Sequence, residues 1–478
     1  MYLFDKTSVM IESLIDKLKK HTKNRPLPMH MPGGKGREDI LGLPEPFSFD
    51  ITEIEGFDNL HRAEGVLKYE MDRAADIYGA DESLICVNGS TSALTSAICG
   101  AFEKGSKVLV ARNCHICIIN AIIMRELVPV FLYPENDEHG IYGGITLEMV
   151  KKGLEETPDA VGLILTSPTY EGVVSEVKEI AGYLHDKNKI LIVDEAHGAH
   201  FVFSDYFPES AVKAGADLVV NSLHKTLPAL TQSALLHIKG GIVCRERVRA
   251  YWDMLQTTSP SYLIMGSISA CFDLLTSEKG KMLFSDYAED LTYLRKKFSR
   301  LDHIKLYGSD DKGKIVLLTN DGRLLYDTLL NKYDIQLEMS GERYALAMTS
   351  LSDQREDYER FFEACRSVDK TIKSSDDVNP QKTVLHKHEQ VLLPYEAFVK
   401  RFSEGDTVMI DKTEGHVCLD NIVIYPPGIP LIVSGERIIE EDIVTFKEAL
   451  NKSYTVLGIR KNDEGKIFLN VRTDNVKN

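Results

Sequence analysis

The sequence predicts an α/β fold with a mostly parallel sheet, on three observations. Short apolar runs alternate with helical spacings between residues 64 and 220. The runs are apolar nearly throughout, not at every second residue, as expected of strands covered by helices on both faces. Each later run also ends in a polar cluster: Arg112-Asn113-Cys114-His115, Thr166-Ser167-Pro168-Thr169-Tyr170, Asp194-Glu195-Ala196-His197, and Ser222 to Thr226. Ligands of open α/β sheets bind at that edge, so these clusters mark the candidate site.

Ile11, Leu14, Ile15 and Leu18 recur at helical spacing and predict an amphipathic opening helix, which Arg25-Pro26-Leu27-Pro28 ends. His30-Met31-Pro32-Gly33-Gly34-Lys35-Gly36 is a glycine-dense loop, either bringing N–H groups to an anion or turning the chain. Residues 50–61 are polar without a period and read as an ordered arm. A helix is expected over 64–78, a strand over 84–87 and a helix from about 93 to 102. Between the last two, Asn88-Gly89-Ser90-Thr91-Ser92-Ala93 is either an anion site at a helix N-terminus or an ordinary cap by Ser90 or Thr91. Alternation continues with a strand at 107–111, a helix after His115, a strand near 129–132 and a helix at 147–154. Buried strands follow at 161–165, 190–193 and 216–220.

After about residue 275 the pattern changes. Strands at 314–319, 335–339 and 344–349, with helices near 324–332 and 353–368, predict a smaller α/β domain. The polar, charged stretch 369–387 reads as a linker. The expected division is therefore an arm at 1–30, a large domain at 31–275, a small domain at 276–368, that linker, and a C-terminal domain at 388–478. The last contains Tyr425-Pro426-Pro427-Gly428-Ile429-Pro430, too rich in proline for a central strand or a helix.

Composition narrows the function classes. At 478 residues with 43% hydrophobic and 27% charged residues, the chain has the make-up of a soluble multidomain protein. A formal charge of −16 argues against a nucleic-acid partner. No apolar run approaches the roughly 18–20 residues of a membrane span, and Met1-Tyr2-Leu3-Phe4-Asp5-Lys6 lacks a signal-peptide layout. Eight scattered cysteines suit a reducing cytoplasm. Cys114-His115-Ile116-Cys117 lacks the second Cys/His pair that a zinc site needs.

The chemistry centres on Ser222-Leu223-His224-Lys225-Thr226. A lysine in apolar surroundings loses proton affinity, and a neutral amine attacks aldehydes. A cofactor carrying an aldehyde, a pyridine nitrogen and a phosphate would find an amine in Lys225 and phosphate donors in Ser90, Thr91 and Ser222. Asp194 could keep the pyridine nitrogen protonated, making the ring an electron sink, or could simply cap a helix. His115 could lie flat on the ring or be a satisfied strand-end histidine. His197 and His224 stand nearby with their roles open.

The run Ser222-Leu223-His224-Lys225-Thr226-Leu227-Pro228-Ala229-Leu230-Thr231-Gln232 closely resembles the pyridoxal-phosphate attachment signature of the bacterial ornithine/lysine/arginine decarboxylases. Asp194 to His200, Ser167-Pro168-Thr169-Tyr170-Glu171-Gly172, Thr257-Thr258-Ser259-Pro260-Ser261-Tyr262 and the 425–430 turn are similar to further blocks of that family, in the same order. The resemblance spans about Pro28 to Glu436 and favours the short form without an N-terminal wing domain. It implies a fold-type-I, aspartate-aminotransferase-like enzyme that works as a homodimer or dimer-based assembly. By that likeness Lys225 forms the Schiff base with pyridoxal phosphate (PLP), Asp194 pairs with the pyridine nitrogen and His115 stacks on the ring. Ser90, Thr91, Ser222 and His224 hold the phosphate, Ala196 belongs to the cofactor-binding set, and Thr258 or Ser259 reaches in from the partner subunit. A basic amino acid would displace Lys225, lose CO2 and be reprotonated at Cα by Lys225 or a nearby histidine, which makes His197 a catalytic candidate.

Three positions depart from the family pattern: Gly34 where a histidine is usual, Ile116 where a lysine is usual, and Ser434 where a proline is usual. They bear on the substrate pocket. For the carboxylate that recognises a cationic side chain, the sequence offers Glu436, Asp58 and Glu53. The expected function is decarboxylation of arginine, lysine or ornithine in polyamine-related metabolism. The alternatives are another PLP reaction on the same fold, or a regulatory subunit that has lost catalysis.

Overall fold

Alternate residues of the central strands feed two different cores. In the computed structural model of the protein, which describes residues 27–30, 33, 35, 50–54, 57–372, 385–425, 428–451 and 454–473, β1 (Leu27–Met29) precedes the strands of a seven-stranded sheet. These are β2 (Glu82–Cys86), β3 (Lys107–Ala111), β4 (Val128–Leu132), β5 (Gly162–Thr166), β6 (Ile190–Asp194), β7 (Leu218–Ser222) and β8 (Ala234–Ile238). Their order across the sheet is β2-β8-β7-β6-β5-β3-β4.

Val108 and Val110 of β3, Ile164 of β5 and Ile192 of β6 point into one core, shared with the helices Gly89–Ala101 and Ile116–Arg125. Their neighbours Leu109, Leu163, Leu165, Leu191 and Val193 point into the other, against Leu147–Glu156 and Val177–His185. The period of two along a strand makes this division, and burial on both faces explains why the runs are apolar throughout. Each such Val, Leu or Ile contributes about 1.5–3 kcal/mol by leaving water.

The pairings from β4 to β7 are parallel, and β8 runs antiparallel to both β7 and β2. The expectation of a mostly parallel sheet holds. β8 and the three helices Arg245–Leu255, Tyr262–Thr276 and Glu278–Phe298 are additions that the sequence pattern did not reveal. Two expected boundaries move. The strand expected at 216–220 is β7, two residues later, so Asn221 and Ser222 pair with β8 inside the sheet. The helix expected from residue 93 begins at Gly89, which places Ser90 and Thr91 in its first turn and not in a loop before it. Tertiary contacts enrol these poor helix formers. From the end of Arg245–Leu255, Gln256 accepts from Val87 N–H at 3.0 Å and donates to Ser92 Oγ at 3.1 Å.

The long helix Glu278–Phe298 leads into a second, antiparallel sheet of β9 (Lys305–Leu306), β10 (Lys314–Leu318), β12 (Met339–Ser340) and β13 (Tyr344–Met348), with β11 (Ile335–Leu337) before β12. The single strand expected at 335–339 is thus two. β1 pairs in parallel with β11 as a separate two-stranded sheet, which ties the N-terminal segment to this part of the chain. Helices Gly322–Tyr333 and Arg355–Asp369 belong to the same unit. The remaining chain builds two small sheets around a separate core that includes Ile432, Phe446 and Leu469. Its strands Ile422–Tyr425 and Ile429–Ile432 flank the proline-rich turn, and Pro430 lies on a sheet-edge strand, where a missing N–H is tolerated. The opening helix expected around 11–18, Gly34, and positions 373–384 of the linker lie outside the described residues.

Candidate active site

Lys225 sits in a single helical turn, Leu223–Thr226, that starts directly after β7. The glycine-dense loop holds this turn in place. Gly33 N–H donates to the His224 carbonyl at 2.8 Å, and a Cβ at position 33 would lie 2.6 Å from the Thr226 carbonyl carbon, so a side chain does not fit there. Ser350 Oγ donates to Gly33 O at 2.6 Å from the far side. The described part of the loop thus packs as a turn against the lysine.

The strand ends converge on a pocket of about 650 Å³ that opens to solvent. Lys225, Asp194, Ala196, His197, His115, Ser90 and Thr91 are all in its lining. Ser222 lies buried just before the lysine turn, and its Oγ has no hydrogen-bond partner among the described residues. His224 Nδ1 lies 3.1 Å from Ser233 O and is not part of the lining. Thr258 is exposed and outside the lining formed by its own chain.

Asp194 ends β6, and its Oδ1 accepts from Ala196 N–H at 3.1 Å. Burial pushes its carboxyl pKa up, while the Lys225 and His115 charges pull it back. Burial lowers the Lys225 pKa, with Asp194 the largest opposing influence. His115 caps the helix Ile116–Arg125, Nδ1 accepting from Cys117 N–H at 3.3 Å, and burial lowers its pKa too. The C-terminal domain presses on this histidine. A Cβ on Gly428 (φ +88°) would lie 2.9 Å from His115 Cδ2, and Ile116 N–H donates to Gly428 O at 3.0 Å. Ile116 therefore uses its backbone to anchor the proline-rich turn. Ser434 is buried, with Oγ 3.3 Å from Pro394 O and N–H donating to Asn421 Oδ1 at 2.8 Å.

None of the acids offered by the sequence for a cationic side chain lines this pocket. Glu436 is 1% exposed and ion-paired with Arg112 at 3.2 Å, and it also accepts from Val433 N–H at 2.7 Å. Asp58 accepts backbone N–H groups of Glu64, Gly65 and Leu67 at the start of the helix Val66–Tyr78. Glu53 is exposed and outside the pocket lining. Sequence reasoning missed Glu171, Tyr142 and Lys314. Glu171 had a signal, because it lies within one of the strand-end blocks. Lys314, at the head of β10, looks like any solvated lysine until the fold buries it to 1% exposure.

The sheet with its one reversed strand, the adjoining antiparallel domain and the lysine turn after β7 define the fold-type-I class of PLP-dependent enzymes. Solved structures bear out the fold. A Francisella novicida lysine decarboxylase superposes with a TM-score of 0.77 at 20% identity, covering 97% of this chain and 84% of that one. A ureidoglycine-glyoxylate aminotransferase from Bacillus subtilis reaches 0.55 at 11% identity, covering 74% of this chain and 96% of that one. Residues 14–315 match the Orn/Lys/Arg decarboxylase major domain, and residues 379–457 match the C-terminal domain of the same family. An arginine decarboxylase of Bacillus subtilis (strain 168) is 33% identical over 466 residues, 92% of this chain and 94% of that protein. One of Bacillus anthracis is 31% identical over 93% of this chain and 94% of that protein. The chain belongs to the Orn/Lys/Arg decarboxylase family, and its reaction class is decarboxylation of a basic amino acid.

Proposed function

We propose that this protein is an arginine decarboxylase that carries PLP on Lys225. One observation bears most of the weight: Lys225, in the turn after β7, and Asp194, at the end of β6, line one pocket with His115, His197 and the first turn of Gly89–Ala101. The choice of arginine rests on relatives at 31–33% identity that carry that name, against 25% for an inducible lysine decarboxylase of Escherichia coli.

The residues present suit the cofactor. The helix Gly89–Ala101 has no side-chain cap; its first N–H, at Gly89, donates to Gln232 O at 3.0 Å, and the amides that follow, at Ser90 and Thr91, would serve a phosphate. Ser222 Oγ is a buried hydroxyl that lacks a partner among the described residues, as expected of a group awaiting a ligand. When bound, PLP supplies a conjugated ring that accepts the electron pair released as CO2 leaves. Asp194, shielded from water, would hold the pyridine nitrogen protonated. His115, fixed by its helix cap and by Gly428, would pack on the ring. Ser90, Thr91, Ser222 and His224 would serve the phosphate side, with Ala196 beside the ring. His197, kept neutral by burial, and Lys225 are the groups placed to deliver a proton to Cα.

Thr258 and Ser259, exposed on their own chain, would complete the site of a partner subunit in a homodimer. All eight cysteines are free, which supports a reducing, cytoplasmic setting. No helix among the described residues is long and apolar enough to cross a membrane. The product amine would be a diamine or polyamine precursor.

The test is CO2 release from arginine, lysine, ornithine and glutamate by protein incubated with PLP, alongside the visible absorbance of the lysine-bound cofactor. Arginine should be turned over fastest and glutamate not at all. Lys225→Ala should lose both the absorbance and the activity. Colourless wild-type protein, or CO2 from none of the basic amino acids, would refute the proposal.

A further inference from the structure

We propose that Glu171 is the specificity-determining residue of the pocket, pairing with the cationic end of the substrate side chain. The proposal rests on the decarboxylase reading above. A guanidinium or ammonium that leaves water needs a carboxylate within hydrogen-bond reach. Among the described residues, the pocket wall carries two carboxylates, Asp194 and Glu171. Asp194 stands over the lysine turn, close enough for the Lys225 and His115 charges to act on it, and is committed to the cofactor.

Glu171 has the character of an anion awaiting its cation. It is 6% exposed, and its carboxylate makes no ion pair with a described residue; its partners are hydroxyls, Tyr344 donating to Oε1 at 2.7 Å and Thr169 beside it. The nearby Lys314 directs its Nζ elsewhere, to His197 Nδ1 at 3.2 Å and to Asp311 Oδ2 at 3.8 Å. Burial pushes the Glu171 carboxyl up from its usual range, while the two hydroxyls and, more weakly, the Lys314 charge pull it back. An acid placed this way is uncomfortable alone and is relieved by an incoming positive charge, which charges selectively.

The backbone under Glu171 is held firmly. Gly172 N–H donates to Thr169 O at 3.0 Å, and Ser309 Oγ donates to Glu171 O at 2.7 Å. Tyr142 and Tyr170 line the pocket beside it, with the Tyr170 ring 4.6 Å from that of His197, so the side chain of a substrate would run along aromatic rings. Tyr344 belongs to β13 and Glu171 to the turn after β5, so the carboxylate is set by contact between the large and small domains.

The experiment uses holoenzyme, with arginine and its uncharged urea isostere citrulline (lysine and norleucine should lysine be the better substrate). Binding is read from the change each causes in the visible spectrum of the bound cofactor, and turnover from CO2. Wild type should prefer arginine strongly. Glu171→Gln should weaken arginine about a hundredfold while moving citrulline less than about threefold, the size expected when one member of a buried charge pair is removed. Its cofactor absorbance should match wild type. An arginine-to-citrulline ratio unchanged in Glu171→Gln overturns the proposal. If Glu171→Gln does not fold, Glu171→Asp decides: the charge drawn back by one methylene should raise the arginine KM about tenfold, and an unchanged KM overturns the proposal. The spectral titration reads binding alone. Loss of CO2 release in wild type would therefore count against decarboxylation, while the ratio still decides Glu171.

Discussion

Lys225 meets His197 end on, with Nζ 3.1 Å from Nε2, and the other ring nitrogen lies 3.2 Å from Lys314 Nζ. Burial, then the two lysine charges, keep the imidazole neutral. A neutral imidazole accepts at only one nitrogen, so it can take a proton-bearing donor from only one of the two lysines. Lys314 has Asp311 at 3.8 Å to support its charge. The consistent arrangement has Lys314 donating to Nδ1 and Nε2–H donating to Lys225, which is then the free amine that aldehyde capture requires.

Lys314→Met should therefore let Lys225 keep its proton. The pH at which cofactor-free protein takes up PLP should rise by about one unit, a tenfold slower capture at neutral pH. The rate of colour formation against pH measures this, and superimposable wild-type and variant profiles would reject the tautomer assignment.

Lys314 also predicts a pH dependence of stability. Burial, opposed by Asp311, lowers its pKa to about 8 in the fold, against about 10.4 in an unfolded chain. Between those values the unfolded state binds more protons, so stability rises with pH across that window, and the burden of the buried charge is greatest below it. Denaturant titrations from pH 7 to 10 should show wild type gaining on Lys314→Met as pH increases. A constant difference between the two would show that Lys314 does not titrate there.

The Arg112–Glu436 pair joins the large domain to the C-terminal domain, and both side chains are 1% exposed. Arg112 also donates to the carbonyls of Pro430 and Leu431, just past the turn that covers His115. Removing one charge strands the other, at about 3–5 kcal/mol. Glu436→Gln should lower the thermal midpoint by several degrees and loosen the cofactor. Arg112→Met with Glu436→Leu should recover part of the loss, because no lone charge remains. A double variant as unstable as the sum of the singles would count against this account.

Thr258 and Ser259 provide the test of a shared site. Mixing inactive Lys225→Ala with inactive Thr258→Ala/Ser259→Ala, then dissociating and re-associating the chains, should restore part of the activity. Wild type that is active while sedimenting as a monomer would refute sharing.

By itself the sequence determined the alternation of strands and helices and the residues at the strand ends. Both are local: a strand buried on two faces must be apolar at every position, and its terminus must turn polar. For that reason Lys225, Asp194 and His115 could be picked out before any fold was known. Only the tertiary structure decided the direction of β8, since a short run of four apolar residues and His237 pairs equally well either way. It alone brought Lys314 from the small domain onto His197. It also decided between carboxylates: Glu436 is taken by Arg112 and Asp58 by a helix start, while Glu171 is left buried on the pocket wall. A side chain's charge is written in the sequence, but its partner comes from a distant part of the chain, and only folding fixes the distance between them.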